Sequence, residues 1–584
     1  MTHHVFESLA DGFVAEDIDT CFALLGDANM NWATALADRG VRMIYVRHEH
    51  CAVAAATAYA RKSGKPGIAT VTCGPGLTQV LTALPAAVRA GIPLVIFAGE
   101  APLGAAWYNQ EIDQAPFITA TGAIYRSLHD IPRMAEAIRD AFVTARQSRC
   151  PVVIGVPFDL QARTLNAPLQ LPAPSAAILP RCGPPSPDPD DLAAIVDRID
   201  RADRIVILGG LGATGSGAAA ACLTLGDRLG ALMATTLPAR GLFHGADFCV
   251  GIAGGFSSTL TRALLEKADL VLAFGCRLTQ HTLDKGKLCP QADIIQIDTD
   301  PQAISQGMVA ATLHLRGDAT LCATALTQAV QTRTGWRTPR LGQAIATAPS
   351  DTATFPAEDD VLDPRNVVAA LDAALPRDWQ MVNSSGHCSF FFAHMDRPFG
   401  TFLTIREFGA IGNGMSYAMG VAAARPGDTV VLFDGDGSVL MHIQELETYR
   451  RHGLNILICA LNDGAYGSEI HKLRDEGLSD AGAVFGRTDL AAIAGGFGIG
   501  GTRVTDLAAP PPPSRLSPRR GGRRSGISRC PTVLRPLSSA ALIRGGTPEW
   551  KIPCRWTACC DPVDRPRGQS RGLTEGSALN ATWA

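Results

Sequence analysis

Two aspartates are the residues best placed to do chemistry in this 584-residue chain. Asp436 sits in Gly435-Asp436-Gly437-Ser438, and Asp463 follows 24 intervening residues and Asn462. Each motif comes directly after an apolar run, Thr429–Phe433 and Asn455–Leu461. If those runs are parallel neighbours joined by a helix, both aspartates face one crevice at the strand ends. The glycines let backbone approach closely and expose N–H groups. Two carboxylates and a carbonyl form a hard oxygen site, suited to Mg²⁺ shared with phosphate oxygens. A lone Gly-Asp-Gly is a common turn, and the paired motifs are far more specific.

A second group lies near the N-terminus. Arg42–Val46 ends in Arg47-His48-Glu49-His50, followed by Ala58-Tyr59-Ala60-Arg61-Lys62-Ser63-Gly64-Lys65-Pro66-Gly67 and then Gly74-Pro75-Gly76. Taken alone, Glu49 reads as a solvated strand-end carboxylate. Further along, Gly386-His387 follows Met381–Asn383 and reads equally as a strand-end turn, and Ile411 as core packing.

Elements of one kind must position these residues. Short apolar runs alternate with Ala- and Leu-rich helical spacing, as in Ala52–Lys62 and Met441–His452. Continuous apolar strands separated by helices indicate parallel sheets covered on both faces. Pro-rich stretches at 167–191 and 338–363 read as linkers. The expected architecture is α/β, with three doubly wound parallel-sheet domains at 1–166, 190–336 and 362–507. The central block contains Val206-Ile207-Leu208-Gly209-Gly210-Leu211-Gly212, which falls short of a full dinucleotide fingerprint.

Hydrophobic residues make up 46% and charged residues 18%, with a net charge of −3. This excludes a disordered main body and gives no global basic field for nucleic acid. The start lacks a basic stretch leading into an apolar one, and no apolar run reaches spanning length, so a cytoplasmic protein is expected, with no membrane partner. Residues 508–584 differ: twelve arginines, one lysine, four acidic residues, and neither Phe nor Tyr.

The ordered series Arg47-His48-Glu49, Tyr59-Ala60-Arg61, Gly74-Pro75-Gly76, Gly435-Asp436-Gly437 and Asn462-Asp463 resembles the thiamine diphosphate-dependent enzymes, acetolactate synthase-like in kind. The resemblance covers about residues 5–507. It implies the thiamine diphosphate-binding fold, with pyrimidine-binding, central Rossmann-like and diphosphate/Mg²⁺-binding domains. Asp436, Asp463 and the Ala465 carbonyl would ligate Mg²⁺. Gly74, Gly76, Gly386, His387, Gly435, Gly437 and Ser438 would line the cofactor, and Ile411 would prop it in its bent shape. Glu49 would share a proton with N1′ of the aminopyrimidine, and the cofactor would serve as electron sink for a 2-oxo acid losing CO₂. Gln110, in Gln110-Glu111-Ile112-Asp113, would reach toward the reacting carbons. The implied assembly is a homodimer or homotetramer with sites between subunits. Some relatives hold FAD in the central domain; this sequence does not support it.

Departures limit the substrate assignment. Asp463 stands where the motif has a second Asn. The Trp-containing stretch by which anabolic relatives select the second oxo acid is absent after Asp463. Paired histidines of the pyruvate-decarboxylase type are absent around Trp107–Asp113, and Glu49 argues against a glyoxylate carboligase. The expected activity is decarboxylation of a pyruvate-like 2-oxo acid, with carboligation to a second carbonyl. The match stops at Leu507, where a third domain still needs its last elements. Residues 508–584 are therefore expected to be a disordered tail from a shifted reading frame, with 545–553 as a remnant strand. Two other readings stay open: a catalytically defective product, and a non-catalytic partner subunit of the same fold.

Overall fold

In the computed structural model, residues 3–354, 362–505, 507 and 542–544 are described. Three six-stranded parallel sheets dominate them, as the alternating pattern predicts. The first contains β1 (Thr20–Ala23), β2 (Arg42–Tyr45), β3 (Gly67–Val71), β4 (Leu94–Glu100), β5 (Ile124–Ser127) and β6 (Val152–Pro157). Its spatial order is β2-β1-β3-β4-β6-β5. The second contains β7 (Ile205–Gly209), β8 (Leu232–Thr235), β9 (Cys249–Ile252), β10 (Leu270–Phe274), β11 (Asp293–Asp298) and β12 (Leu313–Arg316), ordered β9-β8-β7-β10-β11-β12. That is the 3-2-1-4-5-6 order of a Rossmann sheet.

The third contains β13 (Gln380–Asn383), β14 (Phe402–Thr404), β15 (Val430–Gly435), β16 (Ile456–Asn462), β17 (Arg503–Val504) and β18 (Leu542–Arg544). Its order, β14-β13-β15-β16-β18-β17, repeats that of the first sheet. Strand β18 comes from the segment expected to be a disordered tail. It pairs in parallel with β16 on one side and β17 on the other. Apart from these three residues, 508–584 lies outside the described residues, including the proposed remnant at 545–553.

The helices that matter for the site are α1 (Glu49–Ser63), α2 (Cys388–Ala393), α3 (Asn413–Ala424), α4 (Asp436–Met441), α5 (Glu445–His452) and α6 (Gly467–Asp475). Helix α1 begins where the His48 ring accepts the His50 N–H, and it ends at Gly64 in the left-handed region. Its Ala-rich body is buried because it lies against α3, whose residues Asn413–Ala423 are all buried. The contact is close: a Cβ on Gly420 would fall on the Ala55 carbonyl oxygen. This helix pair merges the cores of the first and third domains into one apolar cluster.

The helical spacing at Met441–His452 does not form a single helix. Helix α4 stops at Met441, and α5 starts at Glu445. His442, with φ −133°, leaves the helix and turns Nδ1 to the Gly412 carbonyl, 2.9 Å away. A tertiary hydrogen bond here overrides local propensity.

The central glycine run has a structural cause. A Cβ on Gly212 would come 2.6 Å from Gly275 Cα, and one on Gly210 would strike the Gly275 carbonyl. The two strand-end loops after β7 and β10 pass too close for side chains.

Candidate functional site

Strand β15 carries the chain into α4 at Asp436, and β16 ends at Asn462, beside it in the sheet. Parallel pairing with matched register brings Asp436 and Asp463 together above the carboxyl edge. Asp436 is 1% exposed, and its Oδ2 accepts the Gly464 N–H at 2.9 Å. Asp463 Oδ1 accepts the Ala465 N–H at 3.2 Å. Ala465 is buried and bridges to Val484, and the Tyr466 N–H donates to the Ala483 carbonyl at 2.9 Å, so the loop is fixed from behind. Burial and the neighbouring Asp463 carboxylate push the Asp436 carboxyl well above the usual carboxylate range. Burial also raises Asp463. Two like charges held this way need a proton or a divalent cation between them.

A pocket opens over the pair. Its walls include Gly386, His387, Ile411, Gly435, Gly437, Ser438, Asp463 and Ala465. Three buried polar atoms on its walls, Ser385 Oγ, His387 Nδ1 and Asn462 Oδ1, have no hydrogen-bond partner among the described residues. Such atoms are costly unless a ligand or water satisfies them. At Gly437 a Cβ would come 2.8 Å from the Tyr466 ring, and Gly386 has φ +106°. Both positions therefore require glycine. Paired acids, orphaned polar atoms and glycine walls fit Mg²⁺ and a diphosphate. Among the described residues no cluster of three or more His, Cys, Asp or Glu could hold a metal alone.

Ser438 lines the pocket wall and is also held by its neighbours. Its hydroxyl donates to Asp434 Oδ2 (2.9 Å) and accepts the Gly412 N–H (2.8 Å). The side chain thus braces the pocket floor.

The first-domain residues form a separate group. Gly74, with φ +58°, lies so close to Gln110 that a Cβ would hit the Gln110 carbonyl, and its N–H donates to Gln114 Oε1 at 2.9 Å. A Cβ on Gly76 would meet Glu49 Oε1 at 3.4 Å. Gln110 Oε1 accepts from the Tyr108 hydroxyl at 3.3 Å. Glu49 is half-buried, and desolvation raises its carboxyl above the ordinary value. So Glu49, Gly74, Gly76 and Gln110 come together, and the third-domain residues come together. The walls of the pocket over the aspartates, however, all come from residues 362–469.

Several site residues escaped the sequence reading. Asp434 is fully buried, and burial pushes its carboxyl up to about 7 against hydrogen bonds from Ser438 and the Gly435 N–H. Its signal was an acid at the end of an apolar strand. Glu469 and Tyr466 line the pocket from the loop into α6. His387 meets His471 edge to face at 5.2 Å, and burial with that neighbour holds His387 down to about 4. His50 and His442, 392 positions apart, stack on one another. No local pattern could pair them.

The chain matches the thiamine pyrophosphate enzyme descriptions in three places. The N-terminal TPP binding domain matches residues 3–117, the central domain 192–326, and the C-terminal TPP binding domain 384–510. An acetolactate synthase large subunit of Parasynechococcus marenigrum is 27% identical over 523 residues, spanning 85% of this chain and 83% of its own. A probable acetolactate synthase large subunit of Methanocaldococcus jannaschii is 28% identical, spanning 79% and 80%. The chloroplastic acetolactate synthase of Arabidopsis thaliana is also 28% identical, spanning 79% and 70%. The three matches fall in order on the three sheets, and the terminal two carry the two halves of the site. The chain belongs to the thiamine pyrophosphate enzyme family, as an acetolactate synthase-like member.

Proposed function

We propose that this protein decarboxylates a pyruvate-like 2-oxo acid and joins the remaining acyl carbons to a second carbonyl, using thiamine diphosphate and Mg²⁺. The observation that carries the reading is the Asp436–Asp463 pair, with Asp436 buried, under a glycine-walled pocket. Asp436, Asp463 and the Ala465 carbonyl would hold Mg²⁺ against the diphosphate. When bound, the cofactor supplies an electron sink for the carbon–carbon bond that breaks as CO₂ leaves.

The protein's own residues do the rest. Glu49, whose carboxyl burial raises above its ordinary value, would share a proton with N1′ of the aminopyrimidine. Ile411 fills the wall beneath the bent cofactor. Gln110, on the loop that covers Gly74, orients the substrate carbons. The pocket walls exclude water from the reacting centre.

Because Glu49 does not line the same pocket as Asp436, the reading is completed by a homodimer or a homotetramer. Each site would then take Glu49 from one subunit and the acid pair from its partner. Among the described residues no helix is long and apolar enough to cross a membrane, and we assign the protein to the cytoplasm.

The test uses the full-length protein. Thiamine diphosphate with Mg²⁺ should raise the melting temperature, and pyruvate should then yield CO₂ and acetolactate. No shift and no turnover would defeat the reading. A shift without turnover on a panel of 2-oxo acids would identify a non-catalytic partner subunit instead.

A further inference from the structure

The turn at Gly74–Gly76 is held from behind by a buried side chain outside the motif series. Gln114 opens the short helix Gln114–Ala120 and is 4% exposed. Its Oε1 accepts the Gly74 N–H at 2.9 Å. Its Nε2 donates to the Gly99 carbonyl at 3.0 Å and to the Tyr125 hydroxyl at 2.9 Å. The Gly99 carbonyl can only accept and the Gly74 N–H can only donate, so the amide has one orientation.

The support continues outward. Tyr125, on β5, donates to Glu100 Oε1 at 2.6 Å, at the end of β4. Strand β6 lies between these two strands and carries Gly155. A Cβ there would strike both the Tyr125 hydroxyl and Glu100 Oε1. The glycine opens the gap in which the pair meets across the middle strand. Glu100 also accepts from Ser127 Oγ, and its other oxygen lies 2.9 Å from His129 Nε2. A polar network with its members satisfied in this way holds its parts rigidly.

What the network holds is the seat of the first-domain site residues. Gly74 lies against the Gln110 carbonyl, and Gly76, two residues on, faces Glu49 Oε1. Gln110 Oε1 accepts from the Tyr108 hydroxyl at 3.3 Å and from the Cys73 thiol at 3.7 Å. Its amide nitrogen is therefore the end left to donate. Cys73 is joined directly to Gly74, so the turn touches Gln110 at both its backbone and its side chain.

We propose that Gln114 is a positioning residue: backed by Tyr125 and Glu100, it pins the Gly74 turn and through it holds Gln110 in place for the substrate carbons. This rests on the functional reading above. All of these residues belong to one domain of one chain, so the inference holds whichever subunit supplies the acid pair.

The test uses the full-length protein with thiamine diphosphate and Mg²⁺. Gln114→Met fills similar space with an unbranched side chain and forms none of the three bonds. Tyr125→Phe removes only the supporting hydroxyl. Each is made alone and together with Gln110→Ala. Cofactor affinity is measured by titration, melting temperature without cofactor by heating, and kcat and KM on the best of a panel of 2-oxo acids. Gln114→Met should keep cofactor affinity within ~3-fold, because the pocket over the aspartates is walled by residues 362–469. Its kcat should fall ~10-fold or more, since a displaced orienting group costs rate steeply, while KM stays within ~3-fold. Tyr125→Phe should lose ~5-fold in kcat. With Gln110 already truncated to Ala, either substitution should cost no more than ~2-fold further, because the group being positioned is gone.

An undiminished kcat in Gln114→Met would overturn the proposal. So would the full ~10-fold loss recurring in the Gln110→Ala protein, or a ~10-fold loss of cofactor affinity, since both would mark Gln114 as general support for the domain. If Gln114→Met fails to fold, Tyr125→Phe decides by the same comparison. A wild type that turns over no 2-oxo acid overturns the functional reading itself, a result seen without any variant.

Discussion

Burial acts differently on the carboxylates of this chain. Glu49 is half-buried and only raised, which suits a group that shares a proton. Glu49→Gln is isosteric and cannot share that proton. It should leave the cofactor-induced thermal shift intact and cut kcat on pyruvate by ~10²-fold or more, within the usual range for losing an acid–base group. Undiminished kcat would remove Glu49 from its assigned role. Glu49, Asp436 and Asp463 were legible because each follows an apolar strand within a fixed-spacing motif. Ser438 was legible as a pocket residue, whereas its bonds to Asp434 and Gly412 were not. Asp434 left only the weak signal of an acid at a strand end, and His50 and His442 were not legible at all, since their pairing comes from the fold.

At the scale of elements, most buried central strands were readable from their apolar runs, but Thr20–Ala23, paired on both sides, was not. The strands missed were mostly short edge strands. Ile124–Ser127, Leu313–Arg316 and Phe402–Thr404 each border their sheet on one side only and contain polar residues. Their pairing comes from the neighbouring strand more than from their own pattern. The most demanding interface is α1 against α3. Gly420 lets two backbones touch where any side chain would strike the Ala55 carbonyl oxygen. Gly420→Ala gains helix propensity of up to ~1 kcal/mol, but overpacking a site closed by backbone costs ~1–3 kcal/mol. The steric term should win: chemical denaturation should show a net loss of stability together with weakened cofactor binding. A variant as stable as the wild type would mean that the helices can part freely.

For the whole molecule, acidity is the sharpest lever. His50, His387, His394 and His452 are held to about 4, chiefly by burial. Their unfolded forms take protons at about 6.5, so stability present above that value is lost as pH falls from about 6.5 to 4. Asp434 works in the other direction. Its folded carboxyl is raised to about 7, so its contribution declines as pH rises from about 4 to about 7. Melting temperature without cofactor should therefore fall toward acid pH, because four histidines outweigh the one opposing carboxyl. Mg²⁺ with thiamine diphosphate should lift the alkaline side by neutralising the Asp436–Asp463 pair. A flat profile between pH 4.5 and 8 would contradict this balance. The architecture of three parallel sheets was legible from the alternation of strands and helices, whereas the strand at Leu542–Arg544 was hidden by the basic, Pro-rich text around it.

That strand has a consequence for the order in which the protein assembles. Strand β16, which delivers Asp463 to the pocket, is paired on one flank by β15 and on the other by β18. During synthesis β16 emerges about eighty residues before β18. Until β18 arrives, the flank of β16 beneath the acid pair is an unpaired parallel edge, and β17 has no neighbour to join. The first domain, whose six strands are complete by Pro157, meets no such delay. The chain thus leaves the ribosome with its Glu49 half ready and its acid half waiting on its last strand, and a nascent chain halted in that interval would present a sticky edge to its neighbours.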